Sequence, residues 1–342
     1  MRNDTRLKYT AFAAAVAQLS GVASATEKFT VAPTVQQKLE TRIQQSSDFL
    51  SRINIYPVDQ QSGEKLGLGI TGTIAGTTDT TQKDRTPTDP TDLTANTYEC
   101  AQINYDTALR YTKIDMWAKF PDFQTRVRDA IVKQQGRDRI MIGFNGTHRA
   151  ATSNRINFPK LQDVGKGWLQ KYREDAPARV MDHGKTPGEI RVGVRPEGDD
   201  SADYVTLDAL VKDGVNNLVD EVYADDTELV VICGRNLLAD KYFPLVNKDQ
   251  DPSEQLAADV VMSQKRMGGL QAVQVPFFPA NALMITRLDN LSIYYQEGAR
   301  RRAIIDNPKR DQIENYESSN DDYVIEDYRA GCLIENIKTE WA

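Results

Sequence analysis

Ala272–Arg302 reads AVQVPFFPANALMITRLDNLSIYYQEGARRR. It holds three short apolar runs, Ala272–Phe278, Ala282–Thr286 and Leu291–Tyr295, separated by Pro279-Ala280-Asn281 and by Asp289-Asn290. Pro presets a turn dihedral, and Asn and Asp bond to their own backbone, so both separators are turn chemistry. Short runs rich in Val, Ile and Tyr bounded by turns predict strands packed against a helical layer. The stretch therefore predicts the core of an α+β domain. Arg300-Arg301-Arg302 follows at once, ahead of an acid-rich tail, so the edge of that core is expected to carry charge directed at another chain. Nothing in it has the look of catalysis.

At 342 residues the chain can bury a full core, and a prior of about 150 residues per domain predicts two bodies. Its composition, 40% apolar and 27% charged, is that of an ordinary globular protein. No run approaches the roughly 20 apolar residues that span a bilayer, so no membrane partner is expected. A net charge of −7 argues against a dedicated reader of nucleic acid, which would present a basic face. Cys100, Cys233 and Cys332 are far apart and lack metal-ligand spacing; they read as structural thiols. With only His148 and His183, zinc sites and His-dependent triads have little to work with. No catalytic, metal or cofactor residue is assigned.

Outward from the opening stretch, the N-terminus offers two readings. Arg2, Arg6 and Lys8 precede Ala11–Ala17, and Ala23-Ser24-Ala25 resembles a cleavage site, so a secretory signal must be weighed. The alanine-rich run is cut short by Gln18, which favours a short amphipathic helix with Leu7, Phe12, Val16 and Leu19 near one face. Its boundary with the body falls near Lys28-Phe29-Thr30, just before Pro33. Val35, Leu39 and Ile43, then Phe49, Leu50 and Ile53, predict a helical arm.

Leu66, Leu68, Ile70 and Ile74 alternate with Gly and Thr, and Ala101, Ile103, Tyr105, Leu109 and Tyr111 return on one parity. Together they predict a long β-hairpin with a Thr-, Asp- and Pro-rich tip. Two-stranded ribbons are marginal alone in water, so this one is expected to lie on a neighbouring subunit. Gly67-Leu68-Gly69-Ile70-Thr71-Gly72 matches the dinucleotide fingerprint by letter, but no helix follows to carry a pyrophosphate. The glycines are read as allowing bends or close backbone approach.

Residues 115–144 predict a spine helix with Phe120, Phe123, Val127, Ile131, Ile140 and Phe144 on its apolar stripe and a bend at Gly136. Leu207, Leu210, Val211, Val215, Leu218, Val219 and Val222 predict an amphipathic helix capped by Asp203 or Thr206. The acids from Asp306 to Asp327 form no cleft pattern and are expected on a solvated or partner-facing surface. What remains is two bodies, a protruding ribbon, a separable N-terminus and complementary charge, the properties of a subunit that tiles against copies of itself.

Several strings also resemble one family. They are Ser46–Ile55 (SSDFLSRINI), Gly143–Gly146 (GFNG), Leu161–Val164 (LQDV), Gly167–Arg173 (GWLQKYR), Ala176–Met181 (APARVM), Leu238–Pro244 (LADKYFP) and Glu314–Ser318 (ENYES). These are similar to the major capsid proteins of peduovirus-type tailed phages, and the likeness covers nearly the whole chain. It implies an α+β, Hong Kong 97-type capsid fold with an N-terminal segment at 1–29, an arm at 30–55 and an extended loop at 56–112. It further implies a peripheral domain at 113–199 with a spine helix near 117–144, an axial domain at 200–296, and peripheral C-terminal strands at 297–342. The implied function is a shell of hexamers and pentamers enclosing double-stranded DNA without sequence readout, located in the virion and assembled in the host bacterial cytoplasm. Implied partners are the chain itself, a scaffold and maturation protease, and a portal protein. Removal of the N-terminal segment is expected near Phe29 and Thr30, and Arg300, Arg301 and Arg302 are the expected inter-subunit charges. A tail tube or sheath subunit is the alternative.

Overall fold

The computed structural model describes residues 1–66, 69–70, 75, 77–82, 84–87, 91–92, 95–117, 123–193, 202–238, 241 and 265–339. An N-terminal helix, α1 (Asn3–Leu19), precedes the two-residue strand β1 (Phe29–Thr30). Pro33 then opens the arm helix α2 (Pro33–Gln45), a position where its missing N–H would be unpaired in any case. Next come α3 (Asp48–Arg52), β2 (Asn54–Val58), β3 (Ser62–Leu66), β4 (Gly69–Ile70), β5 (Thr91–Asp92), β6 (Ala95–Glu99), β7 (Ala101–Asn104) and β8 (Thr107–Arg110). Helices α4 (Tyr111–Trp117), α5 (Phe123–Asn145) and α6 (Trp168–Asp175) follow, then β9 (Val180–Met181) and β10 (Ile190–Val192). After these come α7 (Leu207–Leu218), α8 (Glu221–Ala224), β11 (Val230–Cys233), β12 (Arg266–Met267), β13 (Leu270–Gln274) and β14 (Leu283–Thr286). The chain ends with β15 (Leu291–Gln296), β16 (Arg301–Asn307), β17 (Gln312–Ile325), β18 (Gly331–Ile334) and β19 (Ile337–Thr339).

The three apolar runs of the opening stretch supply β13, β14 and β15, although Val275–Phe278 of the first run leaves the strand, and they divide between two sheets. Strands β13 and β14 flank β11 in a six-stranded sheet ordered β12-β13-β11-β14-β18-β9. Strand β15 crosses into a seven-stranded sheet ordered β1-β16-β17-β15-β2, with β7 and β8 also paired to the long β17. The strands thus sort differently from their order along the chain: β15 joins β17, whereas β18, from the tail, lies beside β14.

Two cores form, one against α7 on one face of the six-stranded sheet and one shared between the two sheets. Under the six-stranded sheet, α7 turns Leu207, Leu210, Val211 and Val215 toward Val231, Ile285 and Cys332. Thr206 caps this helix, its hydroxyl accepting from the Ala209 amide at 3.2 Å, which satisfies one of the free N–H groups of the first turn. The helix ends at Leu218, so Val222, read from sequence as part of its stripe, sits on α8 and is 70% exposed. The other core is aromatic: Phe144 lies 5.1 Å from Trp168 and 5.0 Å from Phe278, and Trp168 lies 5.4 Å from Tyr323. Edge-on packing of this kind suits the ring quadrupoles.

Helix α5 has 23 residues, about 34 Å at 1.5 Å per residue, and runs unbroken through Gly136. The glycine has a different purpose from the expected bend. A Cβ there would stand 2.5 Å from Ser46 Oγ, and one at Gly143 would stand 2.3 Å from the Trp168 ring. Seven residues apart, the two glycines share a face, and their bareness lets the arm and α6 seat against the spine.

The ribbon is present but shorter than the alternating pattern predicts. Ser62–Leu66 pairs antiparallel with Ala95–Glu99, and Gly69-Ile70 with Asp92-Thr91. The later return-arm residues leave it: Ile103 pairs opposite Ser319 and Leu109 opposite Ile313, rooting the ribbon in the seven-stranded sheet. Of the glycine fingerprint, Gly69-Ile70 is strand; Gly67, Leu68, Thr71 and Gly72 lie outside the described residues.

Candidate assembly site

Three segments distant in sequence, the last of them the β16–β17 hairpin, meet in a buried ionic cluster. The arm brings Glu40, the spine helix Gln135 and Arg139, the start of β16 Arg300, and β17 Glu317 and Asp321. Arg139 and Arg300 have no exposed surface. Arg300 Nη1 donates to Glu40 Oε1 at 2.7 Å, its Nε to Glu317 Oε1 at 2.9 Å and its Nη2 to Gln135 Oε1 at 3.0 Å. Arg139 donates to Asp321 Oδ2 from Nε at 3.1 Å, and to Glu40 Oε1 from Nη2 at 3.2 Å. Tyr105 and Ser319 hydroxyls complete the Asp321 shell at 3.3 and 2.6 Å. Every charged member thus has the hydrogen bonds that burial in low dielectric demands.

Electrostatics here follow from that closure. Burial by itself raises the Glu317 carboxyl; the guanidiniums of Arg300 and Arg302 outweigh it and hold the group below its usual range. Burial likewise lowers the Arg300 guanidinium, and Glu317 and Glu40 reverse the effect.

This corrects two expectations. The β17 acids do not crowd a solvated surface: Glu314, Glu317, Asp321 and Asp322 are all buried. Asp322, for example, accepts from Lys171 Nζ at 2.9 Å and from the Glu99 amide at 3.1 Å. Arg300, expected to reach another chain, is wholly inside its own subunit. The reason is geometric, because β16 starts where the spine helix passes and alternation turns residue 300 inward. Sequence reading missed Glu40, Gln135 and Arg139 as partners. One signal was present: Glu40 lies one residue from Leu39 and three from Ile43, on the stripe that the arm buries.

Arg301 and Arg302 differ from their neighbour. Arg301 is exposed and, among the described residues, makes no ion pair. Arg302 is half-buried and donates from Nε to Asn315 Oδ1 at 2.8 Å. Their strand partners are the other residues singled out in the sequence. Phe29 pairs opposite Arg302 and Thr30 opposite Arg301, in an antiparallel ladder. Phe29 is buried with Ala17, Ala25 and Val31 in a small cluster of its own. The N-terminal segment makes further contacts along this edge: Ile304 donates its amide to the Ala25 carbonyl at 2.9 Å, Val31 to the Arg300 carbonyl at 2.9 Å, and Arg6 pairs with Asp306 at 3.1 Å. Lys28, Arg301, Arg302 and Tyr316 border a shallow cleft beside it. In α1 itself, Leu7 and Leu19 are 71% and 73% exposed, so the predicted apolar face is only partly covered.

The three cysteines are buried and unpaired. Burial raises the thiols of Cys100 and Cys332 to about 12 and that of Cys233 to about 11, which suppresses the reactive thiolate. No helix among the described residues is long and apolar enough to cross a membrane.

A family profile described as phage major capsid protein, P2 family, matches residues 8–337. The chain belongs to that family. It is 56% identical to the capsid proteins of Escherichia phage P2 across 99% of this chain and 96% of the relative. It is 40% identical to the major capsid protein of Serratia phage KSP20, across 98% and 97%. A chain of the satellite phage P4 procapsid, in a structure that includes the size determination (Sid) protein, superposes with a TM-score of 0.81 at 52% identity, covering 99% of both chains. The capsid of an empty GTA particle shares the fold at 12% identity and a TM-score of 0.52, covering 86% of this chain and 90% of its own. The fold is the Hong Kong 97-type capsid fold expected from the resemblance, with helices and strands mixed. The protein is a capsid shell protein of the phage virion, built to assemble with copies of itself.

Proposed function

We propose that this chain forms the hexamers and pentamers of a closed icosahedral shell around double-stranded phage DNA, and that it catalyses nothing. The observation that carries this is the 52% identity, over 99% of both chains, to a chain of a phage procapsid. DNA is held by confinement, which accords with a net charge of −7. The scaffold, the maturation protease and the portal are its partners during assembly in the host cytoplasm. The leader, residues 1–29, is cut away near Phe29–Thr30 as the shell matures. Arg301, exposed beside the leader, and Arg302 next to it carry the inter-subunit charge, while Arg300 does not. The test is negative-stain electron microscopy of the chain produced with its scaffold and protease. Closed shells are expected; tubes would favour a tail protein, and monomers alone would reject the reading.

A further inference from the structure

We propose that residues 1–29 are a removable edge strand, and that the β16 edge they cover pairs main chain to main chain with a second copy of this chain once they are gone. The proposal rests on the processing reading above. Strand β16 has two sides. Its inner side is laddered to β17 from Arg301↔Ser318 to Asn307↔Gln312. Its outer side shows the alternate residues, whose amides and carbonyls point away from β17, and the N-terminal segment through Val31 satisfies them: Arg300 O by Val31 N, Arg302 by Phe29, Ile304 N by Ala25 O. A cut after Phe29 leaves the Val31 contact and removes the other two.

An uncovered edge of this kind is a template for another strand. Its loss of cover is also apolar. Val31 and Val35 pack with Phe29, Ala25 and Ala17, all of which depart with the leader. Charge then selects the occupant. The leader holds Arg2, Arg6, Lys8 and Lys28 against Asp4 and Glu27, a surplus of two positive charges, so its removal takes the chain from −7 to −9. The freed edge keeps Arg301 and Arg302, and Asp306 loses its Arg6 partner. The exposed Arg301, on the edge of a chain whose net charge is then −9, favours another copy of that acidic chain over a basic partner. The leader itself demonstrates that an extended segment of this chain fits the edge in antiparallel register.

Residue-resolved hydrogen exchange on the Arg302 and Ile304 amides tests this, with the Ala303 and Ile305 amides, which face β17, as internal controls. Three samples are compared: the full chain, a chain starting at Thr30 kept unassembled, and the same shortened chain in particles. The outer amides are expected to be protected in the first, at least about tenfold faster in the second, and protected again in the third. Continued fast exchange in particles overturns the proposal, and so does protection in the unassembled shortened chain, which would mean the chain re-covers its own edge. If the shortened chain fails to fold, particles of the full chain are cut in place at an inserted protease site. Protection of the same two amides is then expected to survive the cut, and its loss overturns the proposal. The mass of mature particles is a separate reading: retention of residues 1–29 would remove the natural processing step but leave the behaviour of the engineered edge to be judged on its own result.

Discussion

Two regions of this subunit, the six-stranded sheet and the end of the seven-stranded sheet that meets the arm, solve the same packing problem with opposite chemistry. In the six-stranded sheet, β11 and β14 are buried along their whole length, and Leu283, Met284 and Ile285 meet apolar neighbours on either face. In the seven-stranded sheet, β17 turns Glu317, Ser319 and Asp321 inward to meet Arg139 and Arg300. Apolar packing rewards any well-shaped neighbour, whereas a buried charge tolerates only a partner that satisfies it. The ionic solution stands where three segments distant in sequence meet: the arm, the spine and the β16–β17 hairpin. The apolar one also gathers distant pieces, β9, β11, the β12–β14 run and the tail strand β18, but needs no charged partner to do so. The difference teaches that charge here specifies which segments converge, while apolar burial supplies bulk stability.

The largest expected effect lies in the ionic region. Replacing Arg139 by Met leaves Glu40 and Asp321 short of their partner and should cost about 3–5 kcal/mol in urea unfolding. A loss below about 1 kcal/mol would erase the contrast between the sheets. In the apolar region, Ile285→Ala should cost about 2–5 kcal/mol by loss of contacts and creation of a cavity. Acidity separates the two regions further. Because the folded Glu317 carboxyl sits below its unfolded value, its contribution is fully present above the ordinary carboxylate range of about 4 and is lost as pH falls through the depressed value. Glu317→Gln should therefore flatten the acid limb of the stability profile, and Ile285→Ala should run parallel to the parent. An unchanged acid limb in Glu317→Gln would place the acid sensitivity elsewhere.

Smaller effects sharpen the picture. Thr206→Ala removes the cap of α7 and should cost about 1 kcal/mol, read as a modest drop in the unfolding midpoint. Arg301→Glu should leave the unfolding midpoint where it was, because the side chain is exposed. Particle yield is the readout that should fall, more at low salt than at high, as screened surface charge requires. A change of equal size in folding would make Arg301 another Arg300.

Much of this was legible along the chain. The runs at Ala272–Phe278, Ala282–Thr286 and Leu291–Tyr295, the helix from Leu207 and the outgoing strand of the ribbon announced themselves by period, because side-chain alternation is a local property of the backbone. The ribbon's return strand, Ala95–Glu99, did not, and Ala101, Ile103 and Leu109, read as that strand, belong to the seven-stranded sheet. The family strings carried the fold. The roles within Arg300-Arg301-Arg302 were not legible, since three identical letters in a row say nothing about which faces inward. The same holds for the acids of β17, which look like a solvated face until Arg139 and Lys171 are brought to them from elsewhere.

By itself, then, the sequence determined the elements, the absence of any long apolar span and the family. Only the tertiary structure decided that β13 and β14 part company with β15, that Arg300 closes a buried cluster with Glu40, and that Phe29 and Thr30 lie beside Arg302 and Arg301. Periodicity is written within a few residues of itself, but burial and pairing depend on segments hundreds of residues away. Solvation and partner geometry, which assign a charge its role, exist only once those segments have met.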